Sequence, residues 1–366
     1  MRLVAQGLIE PLPGAVDAVR HLVCAQGQDH PGAMTSIAVR TPDRSVEHVR
    51  QAYDAGLIVR SWPMRGTLFV VAAEDLDWIR ALTAERLLTG TERRRAELGL
   101  DGAVLGRAEI LAREAVADQG RTRAELLERW TAAGIEVTGG RGYHLLFHLA
   151  LRGIICQGPM AGPSGAEQLF VLTESWIRTS RRVERSEGVR ELLRRYLVAR
   201  GPATLEDFCW WSKLGKREAG VALQELTDGA GPGRTATPGG TAREVTGLVR
   251  GVVGTREVWM AEDLPDRYAD LRRATAKPLL LPGFDEMVLG YQDRSAVLTR
   301  EEESRVVPGG NGVFKGTVLH RGHAVGTWKR STRKAQPVEV ESFSEDGALP
   351  SAVQTALPRL TQGLPG

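Results

Sequence analysis

Cysteine is scarce in this 366-residue chain, which has only three, Cys24, Cys156 and Cys209. None lies in a CxxC pair, and an odd, scattered set argues against both a disulfide framework and a zinc finger. Such usage fits a reducing cytoplasm. No apolar run reaches about 18 residues, so no transmembrane helix is expected. The N-terminal segment, MRLVAQGLIEPLPG, is too short and too broken to predict a signal peptide.

The motifs of several enzyme classes are also missing. GGNGVFKGT contains glycines and a lysine but lacks the GK[ST] order of a P-loop. His144 and His148 have helical spacing, yet the residues between them are apolar and no glutamate follows His144, so the HExxH zinc motif is absent. No GxSxG nucleophile elbow occurs. We therefore expect no metal site and no cofactor.

Positive charge is unevenly distributed, although the net charge is only +3. Arginine greatly outnumbers lysine, and arginine suits phosphates and base edges better than lysine does. A single basic cluster usually marks a solvated helix face, but repeated clusters favour a nucleic acid as partner. The clusters are Arg93–Arg95, Arg181–Arg182, Arg194–Arg195, Arg272–Arg273, Lys329–Arg330 and Arg333–Lys334.

An internal repeat is the clearest structural signal. Three times a helix-rich stretch leads into a short apolar strand, a loop rich in glycine or arginine, a second strand and a new helix start. The second strands and helix starts read FVVAAEDL, FVLTESW and VWMAEDL. The three hairpin regions span residues 55–76, 152–176 and 247–264. Their spacing is that of domains rather than of a solenoid.

Helix N-terminal signals precede each hairpin. Ser45 is the predicted N-cap before the first, while Thr122 with Glu125 and Thr204 with Asp207 have the spacing of a capping box. Helix, turn, helix and two-stranded wing together predict a winged helix, whose second helix enters the DNA major groove. The pattern alone leaves open which units contact DNA and which serve only as scaffold.

The C-terminal quarter has β character. LLLPGF, YQDRSAVLTR, GVFKGTVLHRGHAVGTWKR and PVEVESF alternate or run apolar at strand length. We expect an α+β protein with three tandem winged-helix units and a C-terminal β-rich part, forming a concave DNA-binding surface. The Gly/Pro/Thr-rich segment 228–243 is predicted to be a flexible loop or a long wing. The predicted domains are residues 1–100, 101–185, 186–274 and 275–366.

The segment LVCAQGQDHPG, residues 22–32, contains the candidate catalytic side chains. A helix over residues 15–25 is predicted to end here, with Gly27 as its left-handed C′ residue and Pro31 preventing continuation. A left-handed glycine between Gln26 and Gln28 would let the two amides converge and hold a water molecule. An ordinary helix end is the alternative that these residues leave open.

The chain resembles the AlkZ/YcaQ-type winged-helix DNA glycosylases, which include azinomycin-resistance glycosylases of antibiotic producers. The resemblance covers almost the whole chain and implies three tandem winged helices and a β-rich part that hold DNA. It also implies a glutamine–hydrophobic–glutamine motif that places the hydrolytic water, matched here by Gln26 and Gln28 with Gly27 between them. The motifs that carry it, in chain order, are AQGQD, WPMRGT, RYLVARGPATLEDFCWWSKL, LLLPGFDEMVLGYQDR and NGVFKGTVLHRGHAVGTWKR.

Two neutral amides suit the chemistry that this resemblance implies. An N-alkylated purine is already cationic and leaves easily, so the enzyme mainly stabilises an oxocarbenium-like sugar and orients one water. No activated lysine or N-terminal proline is evident, so we expect direct hydrolysis rather than a Schiff base. Asp29 and Asp285, the latter next to Glu286 in the PGFDE turn, are candidates for a supporting role; a helix cap and a strand corner are the respective structural alternatives for Asp29 and Asp285.

The predicted partner is double-stranded DNA containing alkylated purines, bound by a monomer. Two rival hypotheses are a winged-helix transcription regulator without activity and a protein that sequesters lesions without cutting the glycosidic bond. The sequence leaves open whether the lesion is N7-methylguanine, a bulky adduct or an interstrand crosslink. The candidate DNA contacts, on the first wing and the basic C-terminal hairpin, are Arg65, Lys315, His320, Arg321, His323, Lys329 and Arg330.

Overall fold

The computed structural model describes residues 1–162, 167–228, 247–310, 312–331 and 338–361. The chain forms two compact units, one made of Met1–Val49 with Arg190–Gly366 and the other of Arg50–Val189. The four-part division expected from the sequence is finer than this and stays a prediction. In the described ranges, no helix is long and apolar enough to cross a membrane.

Helices and strands alternate along the whole chain. The α-helices are α1 (Arg2–Ala5), α2 (Ala15–Leu22), α3 (His30–Ala38), α4 (Val46–Asp54), α5 (Leu76–Gly90), α6 (Glu92–Glu97), α7 (Gly102–Ala115), α8 (Arg123–Ala132), α9 (Arg141–Leu151), α10 (Thr173–Trp176), α11 (Arg185–Arg200), α12 (Leu205–Ser212), α13 (Lys216–Asp228), α14 (Leu264–Leu271), α15 (Glu286–Leu289), α16 (Arg300–Val306) and α17 (Ser351–Leu360). The β-strands are β1 (Cys24–Gln26), β2 (Ile58–Met64), β3 (Thr67–Ala72), β4 (Ile155–Met160), β5 (Gln168–Leu172), β6 (Leu248–Val253), β7 (Arg256–Ala261), β8 (Leu279–Leu281), β9 (Gly316–His320), β10 (His323–Arg330) and β11 (Val338–Ser342).

The predicted repeat is confirmed as an order of elements. Helix, short extended segment, helix, helix and antiparallel hairpin occur as α2, β1, α3, α4 and β2–β3. They recur as α7, a bridge at Arg121, α8, α9 and β4–β5, and again as α11, a bridge at Ala203, α12, α13 and β6–β7. This is the element order of a winged helix.

Local capping explains where one helix of each repeat begins. The hydroxyl of Ser45 accepts a hydrogen bond from the N–H of His48. Thr122 with Glu125 and Thr204 with Asp207 form complete capping boxes. All three caps were predicted from the sequence, because a side-chain oxygen satisfies a helix-start N–H that has no partner within the helix.

The unit formed by residues 50–189 has a sheet with β3, β2, β4 and β5 in that order and a core beneath it. Trp130 is fully buried on α8, and its indole N–H donates to the carbonyl of Ala108 on α7 at 3.0 Å. Leu126, one turn earlier, is buried in the same cluster. A spacing of four residues puts both side chains on one face, which fixes α8 against its neighbours.

The C-terminal part of the other unit is an antiparallel sheet in the order β11, β10, β9, β8. Leu279 and Leu281 pack in one apolar cluster, whereas Leu280 packs in another that includes Val353 of α17. Both faces of β8 are therefore buried, which explains its uninterrupted apolar sequence. The predicted hairpin is confirmed, since Arg321 and Gly322 form its two-residue tip with positive φ angles of 53° and 82°.

Two expectations for the C-terminal part were wrong or incomplete. The segment YQDRSAVLTR, predicted to be a strand, is a loop that leads into α16. The carboxylate of Asp207 accepts the N–H groups of Gln292 and Asp293, so the loop backbone is satisfied without a neighbouring strand. Helix α17 was not predicted. Of the segment 228–243, all but Asp228 lies outside the described residues.

Candidate active site

Helix α2 ends earlier than the sequence suggested. Its last residue is Leu22, and the chain turns at Val23, which has φ 65° and ψ −58°, before entering β1. These angles belong to the classic γ-turn, a strained conformation for a β-branched residue. The predicted left-handed C′ residue, Gly27, is therefore wrong. No local sequence signal indicates this turn, because the residue that stabilises it lies far away in the chain.

The guanidinium of Arg200 is that partner. Its Nη1 donates to the carbonyl of Leu22 at 2.8 Å and its Nη2 to the carbonyl of Cys24 at 2.9 Å. The two acceptors flank Val23, so one planar group spans the strained turn. Arg200 is fully buried.

Gln26 and Gln28 thus follow a turn and a short strand rather than a helix end. Gln26 is the last residue of β1 and is 5% exposed, whereas Gln28 is exposed. Residues two apart lie on the same side of an extended chain, although on a helix they diverge. The spacing of the pair is therefore compatible with joint action without a left-handed glycine between them.

Gln26 is anchored through its main chain. Its N–H donates to Oε1 of Glu286 at 2.9 Å in the protein interior. The other oxygen of Glu286 accepts from Nη2 of Arg200 at 2.8 Å and from the indole N–H of Trp211 at 3.2 Å. Both oxygens of a fully buried carboxylate are therefore bound, as a buried charge requires.

Asp285, a candidate supporting residue, forms a second buried ion pair. Its two oxygens lie 2.8 and 2.9 Å from Nη1 and Nη2 of Arg40, and Ser36 donates to it at 2.6 Å. It also accepts the N–H of Met287 as the N-cap of α15. The side chain is 2% exposed or less, so these contacts hold the start of α15, next to Glu286, in place.

Asp29, the other candidate supporting residue, occupies the N-cap position of α3 but makes no capping hydrogen bond. Its carboxylate lies against Gly32, where a Cβ would collide with it. Asp29 also borders an open cleft of about 860 Å³, together with Phe314 and Trp328. Asp29 directly follows Gln28 in the chain, so a charged residue that lines the cleft adjoins the glutamine pair in sequence.

The cleft contains three of the predicted DNA-contact residues, Lys315, Lys329 and Arg330. Burial lowers the pKa of Arg330, and the negative charge of Asp29 opposes that shift. Lys329 pairs with Glu339 at 2.9 Å. The cleft is therefore lined by charges of both signs, with the cations at its edge exposed.

The remaining predicted DNA contacts of the C-terminal hairpin lie at the opposite end of the hairpin, beside its tip. His320 pairs with His323 beside the tip, whereas Gly316 pairs with Trp328 at the open end. Four residues of strand separate these pairs by roughly 13 Å. The tip borders a different cleft, which Arg2 and Tyr268 also line. The structure thus divides the candidate DNA contacts of the hairpin into two groups.

Arg65 belongs to the unit formed by residues 50–189 and lies in the turn between β2 and β3. It has φ 59°, and its guanidinium carbon lies 5.2 Å from the ring centre of Phe69. The side chain is half-buried rather than fully extended into solvent. A role of Arg65 in DNA contact stays a prediction.

Sequence reasoning named Glu286 only beside Asp285 as a candidate carboxylate, and it missed Arg200, Arg40 and Trp211 as parts of the site. The available signal was a charged pair, Asp285–Glu286, inside the apolar run LLLPGFDEMVLG. Carboxylates in such a run need buried partners. Among the described residues, no group of three or more His, Cys, Asp or Glu side chains has a metal-binding arrangement.

Comparisons with known proteins identify relatives over most of the chain. The family model described as "DNA glycosylase AlkZ-like" matches residues 19–362. The Interstrand DNA cross-link repair glycosylase of Streptomyces sahachiroi is 28% identical over 340 residues, which cover 87% of this chain and 82% of that protein. The solved structure of the Streptomyces sahachiroi DNA glycosylase AlkZ has a similar fold, with a TM-score of 0.76 at 23% identity, covering 99% of this chain and 94% of that one.

Proposed function

Because the chain belongs to the AlkZ-like DNA glycosylase family, we propose that it hydrolyses the N-glycosidic bond of cationic N-alkylpurines in double-stranded DNA. The product is an abasic site in an intact strand. Gln26 and Gln28 are the residues that position the attacking water, and DNA is bound by a monomer through its winged helices and basic C-terminal hairpin.

The observation that carries this proposal is the placement of the glutamine pair. Gln26 is fixed through its backbone to a buried carboxylate, and Gln28 is exposed two residues later, next to Asp29 at the edge of the cleft. Each amide offers a carbonyl acceptor and an NH2 donor, so together they are able to hold one water. Holding a reactant in place removes much of the entropic barrier to attack.

The nature of the leaving group sets the substrate class. Two amides are poor acids, so they give little help to a neutral departing base. An N7- or N3-alkylpurine is cationic, and its glycosidic bond is weakened before the enzyme acts on it. Asp29 adds a negative charge near the site, which favours a cationic base and an oxocarbenium-like sugar. We therefore propose that neutral lesions are poor substrates.

The open cleft extends the proposal to bulky lesions. Its volume of about 860 Å³ lies in the range of pockets that accept drug-sized molecules. The Streptomyces sahachiroi relative is an interstrand cross-link repair glycosylase, and a crosslink at purine N7 is also a cationic N-alkylpurine. Bulky adducts and crosslinks are thus included among the proposed substrates.

A panel of defined duplexes tests this proposal. Each duplex contains one modification: N7-methylguanine, a bulky N7-guanine adduct, an interstrand crosslink between N7-guanines, uracil or 8-oxoguanine. We expect alkali-labile sites from the cationic lesions alone, no strand break before alkali, and no covalent complex after borohydride treatment. Uracil release or a borohydride-trapped complex contradicts the mechanism. Tight binding of all alkylated duplexes without abasic sites identifies a sequestering protein instead.

A further inference from the structure

The buried ion pair between Arg200 and Glu286 adjoins the segment that contains the glutamine pair. Arg200 and Glu286 are respectively 0% and 1% exposed at their side chains and pair at 2.8 Å. Together they bind the backbone at three alternate residues: the carbonyls of Leu22 and Cys24 and the N–H of Gln26. No other function of this ion pair is evident from its contacts.

The guanidinium of Arg200 is itself held on several sides. Its central carbon lies 4.4 Å from the ring centre of Trp211 and 5.3 Å from that of Tyr196. A Cβ at Gly290 would lie 3.0 Å from its Nε, so glycine at this position lets the guanidinium pack closely against the backbone. Stacking and planar hydrogen bonding are properties of arginine that lysine lacks.

The turn that Arg200 spans has a conformation that the local sequence does not favour. A β-branched residue with positive φ, such as Val23, persists only when its surroundings impose it. A buried ion pair is also an inefficient way to stabilise a fold, because both charges lose their hydration. Its use here is explained if it fixes the direction in which β1 presents Gln26.

We propose that Glu286 and Arg200 are positioning residues for the hydrolytic step. They hold the segment from Leu22 to Gln28 in the geometry in which both amides reach the same water. This inference rests on the proposed function of Gln26 and Gln28. The two residues do not touch the reacting atoms; they act through the backbone of β1.

Arg200→Lys is the main test, with Arg267→Lys as its control. Arg267 lies in the same unit with a side chain that is 16% exposed, and its guanidinium pairs with Glu10 and Asp263 rather than with Glu286. Only Arg200 contacts the carbonyls that flank Val23. A misplacement of about 1 Å costs roughly 100-fold in rate. We therefore expect Arg200→Lys to lower the single-turnover rate on an N7-methylguanine duplex by about 10- to 100-fold, with the Kd for that duplex unchanged.

The control separates loss of position from loss of stability. Rates are measured below the melting temperature of every variant and divided by the folded fraction. We expect Arg267→Lys to lower Tm but to keep the normalised rate within about threefold of wild type. Equal rate losses in both variants overturn the inference. If Arg200→Lys does not fold, Trp211→Phe, which removes the indole N–H bonded to Glu286 together with part of the ring that stacks on Arg200, gives the same test with a loss of about threefold or more. A wild-type rate in Trp211→Phe overturns the inference in that case.

A double-mutant cycle distinguishes this inference from the proposed function. If Arg200 acts through Gln26, the variant Arg200→Lys/Gln26→Ala is no slower than Gln26→Ala alone, because interacting sites are not additive. Fully additive losses overturn the positioning role while leaving the role of Gln26 intact. If Gln26→Ala and Gln28→Ala both retain wild-type rates, the proposed role of the two amides is wrong, and the positioning role that rests on it is wrong as well.

Discussion

The main-chain N–H of Gln26 donates a 2.9 Å hydrogen bond to the carboxylate of Glu286, which lies 260 positions later in the chain. The contact fixes the end of β1 to the start of α15 and leaves the position of Gln26 independent of its own side chain. A functional residue supported in this way is held by the rigid interior rather than by a loop. Truncation of its amide is therefore expected to affect chemistry more than folding.

The neighbouring ion pair between Arg40 and Asp285 makes a prediction about stability. Asp285→Asn leaves the buried guanidinium of Arg40 without its counter-charge, so we expect the free energy of unfolding at pH 7 to fall by about 3–5 kcal/mol. Urea denaturation measures this change. The control is Glu97→Gln, which breaks an exposed pair with Arg93 and should cost less than about 1 kcal/mol. A similar small loss in both variants would contradict the prediction.

The same carboxylate predicts a pH dependence. Burial alone raises the pKa of Asp285, but the charge of Arg40 and hydrogen bonds from Arg40, Ser36 and Met287 outweigh it and hold that pKa below its usual value. A lowered pKa means that the ionised group stabilises the fold above its unfolded pKa of about 3.9. This contribution disappears as the pH falls through the folded-state pKa. The stability difference between wild type and Asp285→Asn should therefore shrink below about pH 4; a constant difference between pH 7 and pH 3 argues against it.

The tip of the C-terminal hairpin predicts a charge-dependent effect on DNA binding. Burial, followed by the charge of Arg321, lowers the pKa of His320, so this side chain is neutral at pH 7.5. Arg321→Ala should weaken lesion-duplex binding and reduce the slope of log K against log salt by about 1, whereas His320→Ala should leave the slope unchanged. Adding His323→Ala to either of these variants should leave Tm close to that of wild type. If the hairpin has only a structural role, these variants will either unfold or bind DNA as wild type does. The control is Arg359→Ala, which changes an exposed arginine elsewhere in the chain.

The acidic residues of β11 are expected to weaken DNA binding, in contrast to the basic residue at the hairpin tip. Glu339 pairs with Lys329 at 2.9 Å and Glu341 approaches Lys315 at 3.8 Å, so each carboxylate offsets a cation of the cleft. Exposed ion pairs are worth up to about 1 kcal/mol. Glu339→Gln and Glu341→Gln should therefore tighten duplex binding about two- to fivefold at low salt, measured by fluorescence anisotropy. The control variant, Glu345→Gln, changes an exposed glutamate and should leave duplex binding unchanged. Weaker binding in the β11 variants would show that these lysines do not face DNA.

Local chemistry made much of the fold predictable from the sequence. The caps at Ser45, Thr122 and Thr204 and the hairpin tip at Arg321–Gly322 depend on residues within a few positions of one another. Strand β8 was also predictable, because an apolar run of its length matches a strand that is buried on both faces.

The errors concern contacts between distant residues. The early end of α2 depends on Arg200, which lies 178 positions from Leu22, and the loop at Gln292 depends on Asp207, 85 positions away. Nothing in the local sequence indicates these partners. The glutamine pair was recognised from a short motif, but its anchor, Glu286, required the folded chain. The sequence thus indicated candidate residues, whereas their positioning depends on the tertiary structure.

The most direct test of the central claim is single-turnover excision of N7-methylguanine by Gln26→Ala and Gln28→Ala, with duplex affinity and Tm measured on the same samples. Gln354→Ala, an exposed glutamine on α17, is the matched control. Loss of one preorganised polar contact in an active site costs on the order of 10²–10³ in rate. We expect losses of about this size in both site variants, with near-wild-type affinity and Tm. Wild-type rates in both would show that the two amides do not position the water.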